Sequence, residues 1–196
     1  MKQQIPNLLS ISRIVLSPLV IFLYFYNSMI SAVLALIFLI ILEITDALDG
    51  AMARKFNLVS DLGKVLDPFA DTVFHITMFT IFLYEGSMPI WMYIISLYRD
   101  MFSMFIRILG GLRGFAVAAK FSGKLKTASR AAAVVIIFLI KILKYTEISL
   151  PYEQITYYSL LVVTIITIYS FFDYMPLITG KANKKIIIII TSDKLE

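Results

Sequence analysis

The sequence predicts an all-α membrane protein, a bundle of six transmembrane helices preceded by a short N-terminal interfacial segment. Hydrophobic residues make up 60% of the 196 residues, whereas soluble domains are about 45–50% apolar. Long apolar runs alternate with short polar turns, and most runs approach the roughly 20 residues that cross a bilayer. Lysine and arginine also concentrate in alternate connections, which is typical of a multi-pass protein.

The predicted elements follow in order along the chain. Residues 1–6 form the interfacial segment, and the spans cover residues 8–27, 29–53, 64–84, 89–109, 127–142 and 152–178. Arg13 is expected to snorkel to the interface. We expect one domain over residues 1–180 and a basic cytoplasmic tail over residues 181–196. The apolar run at residues 186–190 is too short to span a bilayer, and its role stays open.

The distribution of cations predicts the orientation. Of 18 lysines and arginines, all but Lys141 and Lys144 fall on one side of the predicted topology. We therefore expect a protein of the cytoplasmic (inner) membrane with both termini and the candidate site on the cytoplasmic side. A net charge of +5 then indicates contact with anionic lipid rather than nucleic acid. The chain has no cysteine, which excludes disulfides and thiolate metal sites.

Two pairs of acids adjoin the second and third apolar runs. Asp46 and Asp49 are three residues apart, and Asp67 and Asp71 are four apart, so each pair shares one helix face. One unpaired aspartate at mid-helix costs about 2.5–3.5 kcal/mol to insert into a bilayer. Hard divalent cations such as Mg²⁺ would neutralise such acids and share them with substrate phosphates, so the pattern predicts a metal-assisted phosphoryl site.

The whole stretch reads D-x2-D-G-x2-A-R-x8-G-x3-D-x3-D, and it resembles the signature of the CDP-alcohol phosphotransferases. The matching residues are Asp46, Asp49, Gly50, Ala53, Arg54, Gly63, Asp67 and Asp71. The resemblance implies that Asp46, Asp49, Asp67 and Asp71 hold divalent ions, Mg²⁺ or Mn²⁺ and two in number. It also implies a CDP site at Asp49, Gly50, Ala53, Arg54 and Gly63, with Asp71 as the general base.

A second segment narrows the resemblance. Residues 99–127 carry R-D-x6-R, G-F-x2-A-A and G-K-x-K-T, which resemble bacterial phosphatidylglycerophosphate synthases. This implies CDP-diacylglycerol as donor, sn-glycerol 3-phosphate as acceptor and a homodimer. The expected clamp on the acceptor phosphate is Arg107, Arg113, Lys124 and Lys126. Asp100 and Thr72 depart from the family pattern, which usually has glutamate and lysine there.

Other interpretations remain beside this one. The same chemistry with another alcohol, such as inositol phosphate or serine, keeps the first motif, and a divalent-cation transporter would also bury acids. Arg99 and Arg107 lie two turns apart on one helix face, and their anion is either Asp100, a motif acid or a phosphate. We interpret Lys120 and Arg130 as loop charges, Glu43 and Asp173 as structural, and His75 as a hydrogen-bonding residue of the bundle.

Overall fold

The computed structural model describes residues 4–55, 61–112, 120–146 and 148–175, and these residues form six helices and no strand. The all-α prediction is therefore confirmed for the described part of the chain. The helices are α1 Gln4–Phe25, α2 Met29–Lys55, α3 Asp61–Tyr84, α4 Ile90–Leu112, α5 Phe121–Leu143 and α6 Tyr152–Tyr174.

The helices form a closed ring in which sequence neighbours are not always spatial neighbours. Around the ring the order is α1, α2, α5, α6, α4 and α3, and α3 packs back against α1. The two halves of the acidic motif, on α2 and α3, therefore flank α1 rather than packing mainly on each other. This arrangement brings α1 into the candidate site.

The core is apolar and runs through the middle of the ring. Tyr24, Leu39, Met78, Phe82 and Phe138 are at most 2% exposed and belong to one cluster. Many large apolar side chains remain exposed on the outer faces of the helices, which is the pattern expected where lipid replaces water. Burial here reflects helix-to-helix packing, while the outward surface is suited to a bilayer.

Four of the described helices are long and apolar enough to cross a membrane, namely α1, α2, α3 and α6. The other two, α4 and α5, carry more charge. Several of those charged side chains, including Arg99, Asp100 and Arg130, are buried inside the ring. Because these charged side chains face the inside of the ring and not the lipid, α4 and α5 can also lie in the membrane.

Several predicted boundaries were wrong. The first helix begins at Gln4 and not at residue 8, so residues 4–6 of the expected interfacial segment are helical. Helix α5 begins at Phe121 rather than at residue 127, which places Lys124 and Lys126 on a helix. Gly86 turns the chain between α3 and α4 with φ of 74°, a conformation that glycine adopts without strain. The tail beyond residue 175, including residues 186–190, lies outside the described residues.

Candidate active site

Helix α1 supplies a polar partner to each half of the acidic motif. Arg13 is buried, and its guanidinium pairs with Asp46 on α2, whose side chain is 39% exposed. On the other flank the Ser10 hydroxyl donates a hydrogen bond of 2.5 Å to Oδ1 of Asp67 on α3. The expectation that Arg13 snorkels to the interface was wrong, because a carboxylate partner is available within the ring.

Asp71 lies one turn before the only histidine in the sequence. Nε2 of His75 is 3.2 Å from Asp71 Oδ1, the histidine is 1% exposed, and the Asp71 side chain is 31% exposed. Neither ring nitrogen of His75 has a hydrogen bond of good geometry among the described residues, so Nε2 approaches Asp71 without an aligned hydrogen bond. Oδ2 of Asp71 is the carboxylate oxygen not facing His75, and no hydrogen bond or ion pair among the described residues involves it.

Glu43 joins this acidic end from α2. Its carboxylate lies close enough to Asp46 and Asp71 to be repelled by them and close enough to Arg13 to be attracted by it. One of its carboxylate oxygens, Oε1, is buried without a hydrogen-bond partner in the part of the chain that the structure describes. The sequence predicts only a structural role for Glu43, although it lies three residues before Asp46 on the same helix face.

For most of the remaining motif residues the structure describes the backbone but not the side chain. Asp49, Gly50, Ala53 and Arg54 belong to α2, but their side chains lie outside the described ones. Gly63 is buried in the first turns of α3. Among the side chains that the structure describes, no three metal-binding residues are close enough together to hold an ion. The described acids alone therefore do not complete a metal site.

The chemistry of the described donors nevertheless fits a hard divalent ion. Asp46, Asp67 and Asp71 all offer carboxylate oxygens at the same end of the bundle, and Asp46 and Asp71 are partly open to ligands. Each accepts from or pairs with a protein donor, and a carboxylate has further lone pairs beyond one such contact. Oxygen-only donors favour Mg²⁺ or Mn²⁺ over softer metals.

A second charged cluster lies between α4, α5 and α6. Asp100 is 4% exposed and pairs with Lys126 at 2.8 Å, with Arg99 at 3.3 Å and with Arg130. Arg99 also donates to the Ser170 hydroxyl at 2.5 Å. Three buried cations around one acid leave a surplus of two positive charges within the described cluster, where Arg130 Nε and Nη2 have no acceptor. A buried cationic surplus attracts an anion.

A small cleft connects this cationic cluster with the acidic motif. It is lined by Asp71 and Thr72 on α3, by Arg99, Asp100 and Arg107 on α4, and by Gly123 and Lys126 on α5. Lys126 and Arg130 also attract the Asp71 carboxylate electrostatically. The cleft thus sets one partly free carboxylate beside several phosphate-binding side chains.

Only some of the residues predicted to bind the acceptor phosphate lie at the cleft. Arg107 and Lys126 line the cleft, whereas Lys124 is exposed on α5 and does not line it. Arg113 lies outside the described residues. The loop assignment of Arg130 was wrong, because this side chain is 1% exposed and its guanidinium stacks 5.1 Å from the Phe79 ring centroid. Its four-residue spacing from Lys126 is the signal that both share one helix face.

Lys120 and Asp173 fasten the start of α5 to the end of α6. Lys120 Nζ lies 3.1 Å from Asp173 Oδ1, and Ser122 donates to Oδ2 of the same carboxylate. The backbone N–H of Lys120 also donates to the Tyr174 hydroxyl at 3.3 Å. Lys120 is therefore a connecting residue rather than a free loop charge, and this contact supplies the partner that Asp173 needs.

The ring of helices and its charged cleft define a polytopic helical membrane protein with an acidic and a cationic group at one end. The chain belongs to the CDP-alcohol phosphatidyltransferase family, whose model matches residues 3–169. It is accordingly a phosphatidyltransferase of that class, and the family in general depends on divalent metal ions.

Named relatives agree with this placement. The chain is 37% identical over 151 residues to the CDP-diacylglycerol–glycerol-3-phosphate 3-phosphatidyltransferase of Treponema pallidum, covering 74% of this chain and 69% of that protein. It is 30% identical over 141 residues to the protein of the same name from Rickettsia bellii, covering 72% and 75%. It is also 32% identical over 112 residues to a CMP-forming cardiolipin synthase of Streptomyces coelicolor, covering 56% and 51%.

Proposed function

We propose that the protein transfers the phosphatidyl group of CDP-diacylglycerol to a hydroxyl of sn-glycerol 3-phosphate, giving phosphatidylglycerol phosphate and CMP. One observation carries the proposal: Asp71 shares a cleft with Arg107 and Lys126. A carboxylate beside a cationic pocket suits an acceptor that carries both a reactive hydroxyl and a phosphate. The names of the Treponema and Rickettsia relatives support the same acceptor.

Asp46, Asp49, Asp67 and Asp71 would hold the divalent ions, Mg²⁺ or Mn²⁺ and two in number. When bound, such ions neutralise the pyrophosphate of the donor and the charge that develops on it. Arg13, Ser10 and His75 hold three of these carboxylates in place from the protein side. Partners of this kind orient metal-binding residues and tune their affinity.

Asp71 acts as the general base. Its Oδ1 faces His75, so Oδ2 takes the proton from the attacking hydroxyl. The hydroxyl oxygen forms a bond to the phosphorus that bears the diacylglycerol, and the bond from that phosphorus to the CMP oxygen breaks. CMP leaves with the electron pair of that bond, and the proton remains on Asp71 until solvent removes it.

Cationic side chains bind the acceptor phosphate. Arg107 and Lys126 line the cleft directly, and the surplus of positive charge around Asp100 attracts the phosphate into it. Arg113 and Lys124 are the other proposed members of the clamp; Lys124 does not line the cleft and would add positive charge from outside it. Holding the phosphate fixes the distance between the acceptor hydroxyl and Asp71, which is the positional contribution to catalysis.

The remaining parts of the proposal concern the CDP site, the orientation in the membrane and the oligomeric state. Asp49, Gly50, Ala53, Arg54 and Gly63 would bind the CDP group. The site would face the cytoplasm, with both termini on that side of the inner membrane, because all but two of the lysines and arginines fall there. The protein would act as a homodimer, which light scattering of the purified protein in detergent would test.

An acceptor panel tests the proposed reaction. Purified protein in mixed micelles receives CDP-diacylglycerol, a divalent ion and one acceptor at a time: glycerol 3-phosphate, inositol phosphate, serine or phosphatidylglycerol. We expect CMP release with glycerol 3-phosphate only. Release with inositol phosphate or with phosphatidylglycerol alone would assign another acceptor, and the second outcome would agree with the Streptomyces relative. Ion flux in liposomes without CMP release would replace the enzyme by a transporter.

Two sets of variants test the assigned roles. Asp71→Asn should retain metal-dependent binding of the CDP-lipid and lose turnover by about 10²–10⁴-fold, since a positioned base contributes that much. An active variant would show that Asp71 is not the base.

Lys126→Gln should raise KM for glycerol 3-phosphate at least tenfold. Lys124→Gln is the matched comparison and should raise KM less, because Lys124 does not line the cleft. An equal rise there would place the phosphate outside the cleft.

A further inference from the structure

A second and larger cavity opens at the end of the bundle opposite the acidic motif. Its volume is about 630 Å³, and its walls come from the ends of α1, α3 and α5 and the start of α6. From Asp71 to Glu85 the chain rises about 20 Å along α3, at 1.5 Å per residue. The cavity is therefore separate from the candidate active site, and its volume is that of a small-molecule site.

One wall of this cavity is fixed by interactions within the protein. The Tyr24 hydroxyl donates to Glu85 Oε2 at 2.6 Å, and Lys141 Nζ donates to Glu85 Oε1 at 3.2 Å. Lys141 Nζ also lies 3.7 Å from the centroid of the Tyr24 ring. Glu85 and Lys141 neutralise each other, so neither is available to a ligand without loss of this arrangement.

Two other charges line the same cavity and do not neutralise each other. Lys144 follows the last residue of α5, and Glu153 lies in the first turn of α6. Among the residues that the structure describes, neither side chain forms an ion pair or a hydrogen bond; Lys144 Nζ lies 6.0 Å from the Tyr152 ring centroid. Each charge sits at the helix end whose dipole favours its sign.

We propose that this cavity binds the headgroup of a zwitterionic phospholipid, with the phosphate facing Lys144 and the ammonium facing Glu153. A ligand with only negative charge would be repelled by Glu153, and a ligand with only positive charge by Lys144, so the pair selects a dipolar group. The hydroxyls of Ser87 and Tyr145 also line the cavity. They already donate to Phe82 O and to Asn27 Oδ1, so they keep lone pairs that can accept from the ammonium. The ring of Tyr157 offers a face to the ammonium.

The position of the cavity selects a membrane lipid as the source of that group. It lies where four helices leave their apolar segments, at the level of the headgroups of the leaflet remote from the active site. Exposed apolar side chains such as Ile148 and Tyr158 stand near the same helix ends and would contact the acyl region. A lipid bound here would contact the ends of α1, α3, α5 and α6 and so stabilise their packing.

Lipid titration by native mass spectrometry of the full-length protein tests the site. The probes are phosphatidylethanolamine and phosphatidylglycerol with identical acyl chains, and free phosphoethanolamine. We expect the wild type to prefer phosphatidylethanolamine, and its dissociation constant to rise about tenfold or more in Lys144→Gln and in Glu153→Gln. Both residues are exposed, so the variants should fold and should release CMP at the wild-type rate.

A charge-neutralising control separates this site from general lipid binding. Lys124→Gln, at the other end of α5, should leave the affinity for phosphatidylethanolamine unchanged. The proposal is overturned if Lys144→Gln and Glu153→Gln bind this lipid as the wild type does, or if the wild type binds phosphatidylglycerol as tightly as phosphatidylethanolamine. Binding of free phosphoethanolamine but not of the lipid would also overturn it.

Discussion

Arg13 of α1 pairs with Asp46 of α2, and this contact joins the first helix to the acidic motif. The pair is asymmetric, because the arginine side chain is 5% exposed and the aspartate 39%. Asp46 also experiences repulsion from Asp71. Arg13 therefore offsets a negative charge that divalent ions would otherwise have to neutralise, and it holds that carboxylate in position before they bind.

Arg13→Gln should lower thermal stability in the absence of divalent ions and increase the stabilisation that ions provide. Removing the guanidinium leaves the acids to repel one another, at a cost of about 1–2 kcal/mol for a partly exposed pair, or about 2–8 °C in Tm for a chain of this size. Melting curves with and without Mn²⁺ in detergent measure both effects. Arg13→Lys keeps the charge and should fall between; a variant whose loss of Tm is unchanged by Mn²⁺ contradicts this role.

His75 should act as a positioning residue for Asp71. His75→Ala removes the group 3.2 Å from Oδ1, and we expect the affinity for Mn²⁺ to fall about 10- to 100-fold, the usual effect of losing a partner behind a metal-binding residue. His75→Gln keeps a polar N–H group at a similar reach, and we expect it to restore most of that affinity. Electron paramagnetic resonance titration of Mn²⁺ measures it, and equal affinities in the alanine and glutamine variants would show that only packing is lost.

The helices and the acids are predictable from the sequence because both depend on local pattern. Apolar runs and three- or four-residue spacings determine which side chains share a face, and Asp46, Asp67 and Asp71 indeed lie at one end. The ring order depends on how six faces pack together, which no single stretch encodes. For that reason the placement of α1 between α2 and α3, and with it the roles of Ser10 and Arg13, does not follow from the sequence pattern.

The cationic cluster is only partly predictable for a related reason. A cation near a membrane boundary is interpreted as a loop charge under the positive-inside rule, and that rule misplaces Arg130. The signal against that interpretation is Asp100, an acid within an apolar helix that needs a buried partner. Asp100 and the four-residue spacing of Lys126 and Arg130 indicate a buried charged face on each of the two helices. That these faces meet depends on the helix order, which the pattern does not give.

Asp100→Asn should strongly destabilise the protein and make it more responsive to phosphate. The substitution leaves Arg99, Lys126 and Arg130 buried without their shared anion, and breaking such a group costs about 3–5 kcal/mol. Added glycerol 3-phosphate should then raise Tm more in the variant than in the wild type, because it supplies the missing charge. Thermal unfolding against ligand concentration measures this difference.

Asp173→Asn is the matched comparison for that experiment. It makes the same chemical change in a pair whose side chains are about one-third exposed, and an exposed pair contributes about 0–1 kcal/mol. Ser122 can still donate to the remaining amide oxygen. A loss of stability as large as that of Asp100→Asn, or a similar response to glycerol 3-phosphate, would contradict the assignment of the anion site to the Asp100 cluster.

Gly123→Ala should weaken acceptor binding through Tyr174. A Cβ at Gly123 would lie 3.0 Å from the Tyr174 hydroxyl, so the ring must shift by a few tenths of an ångström. That ring faces Arg99 at 5.5 Å, and Arg99 and Gly123 both line the cleft. We expect KM for glycerol 3-phosphate to rise about two- to tenfold, while the stability changes by less than about 1 kcal/mol, because alanine favours the helix by a similar amount.

The double variant Gly123→Ala with Tyr174→Phe separates the steric effect from other causes. Removing the hydroxyl relieves the close approach, and the next ring atoms would be 3.8 Å from the new Cβ, an ordinary packing distance. Tyr174→Phe alone reports the cost of losing the hydrogen bond from the Lys120 backbone. KM in the double variant should equal that of Tyr174→Phe, because without the hydroxyl the alanine methyl group no longer displaces the ring. A KM that stays at the level of Gly123→Ala means that the methyl group acts within the cleft itself and not through the ring.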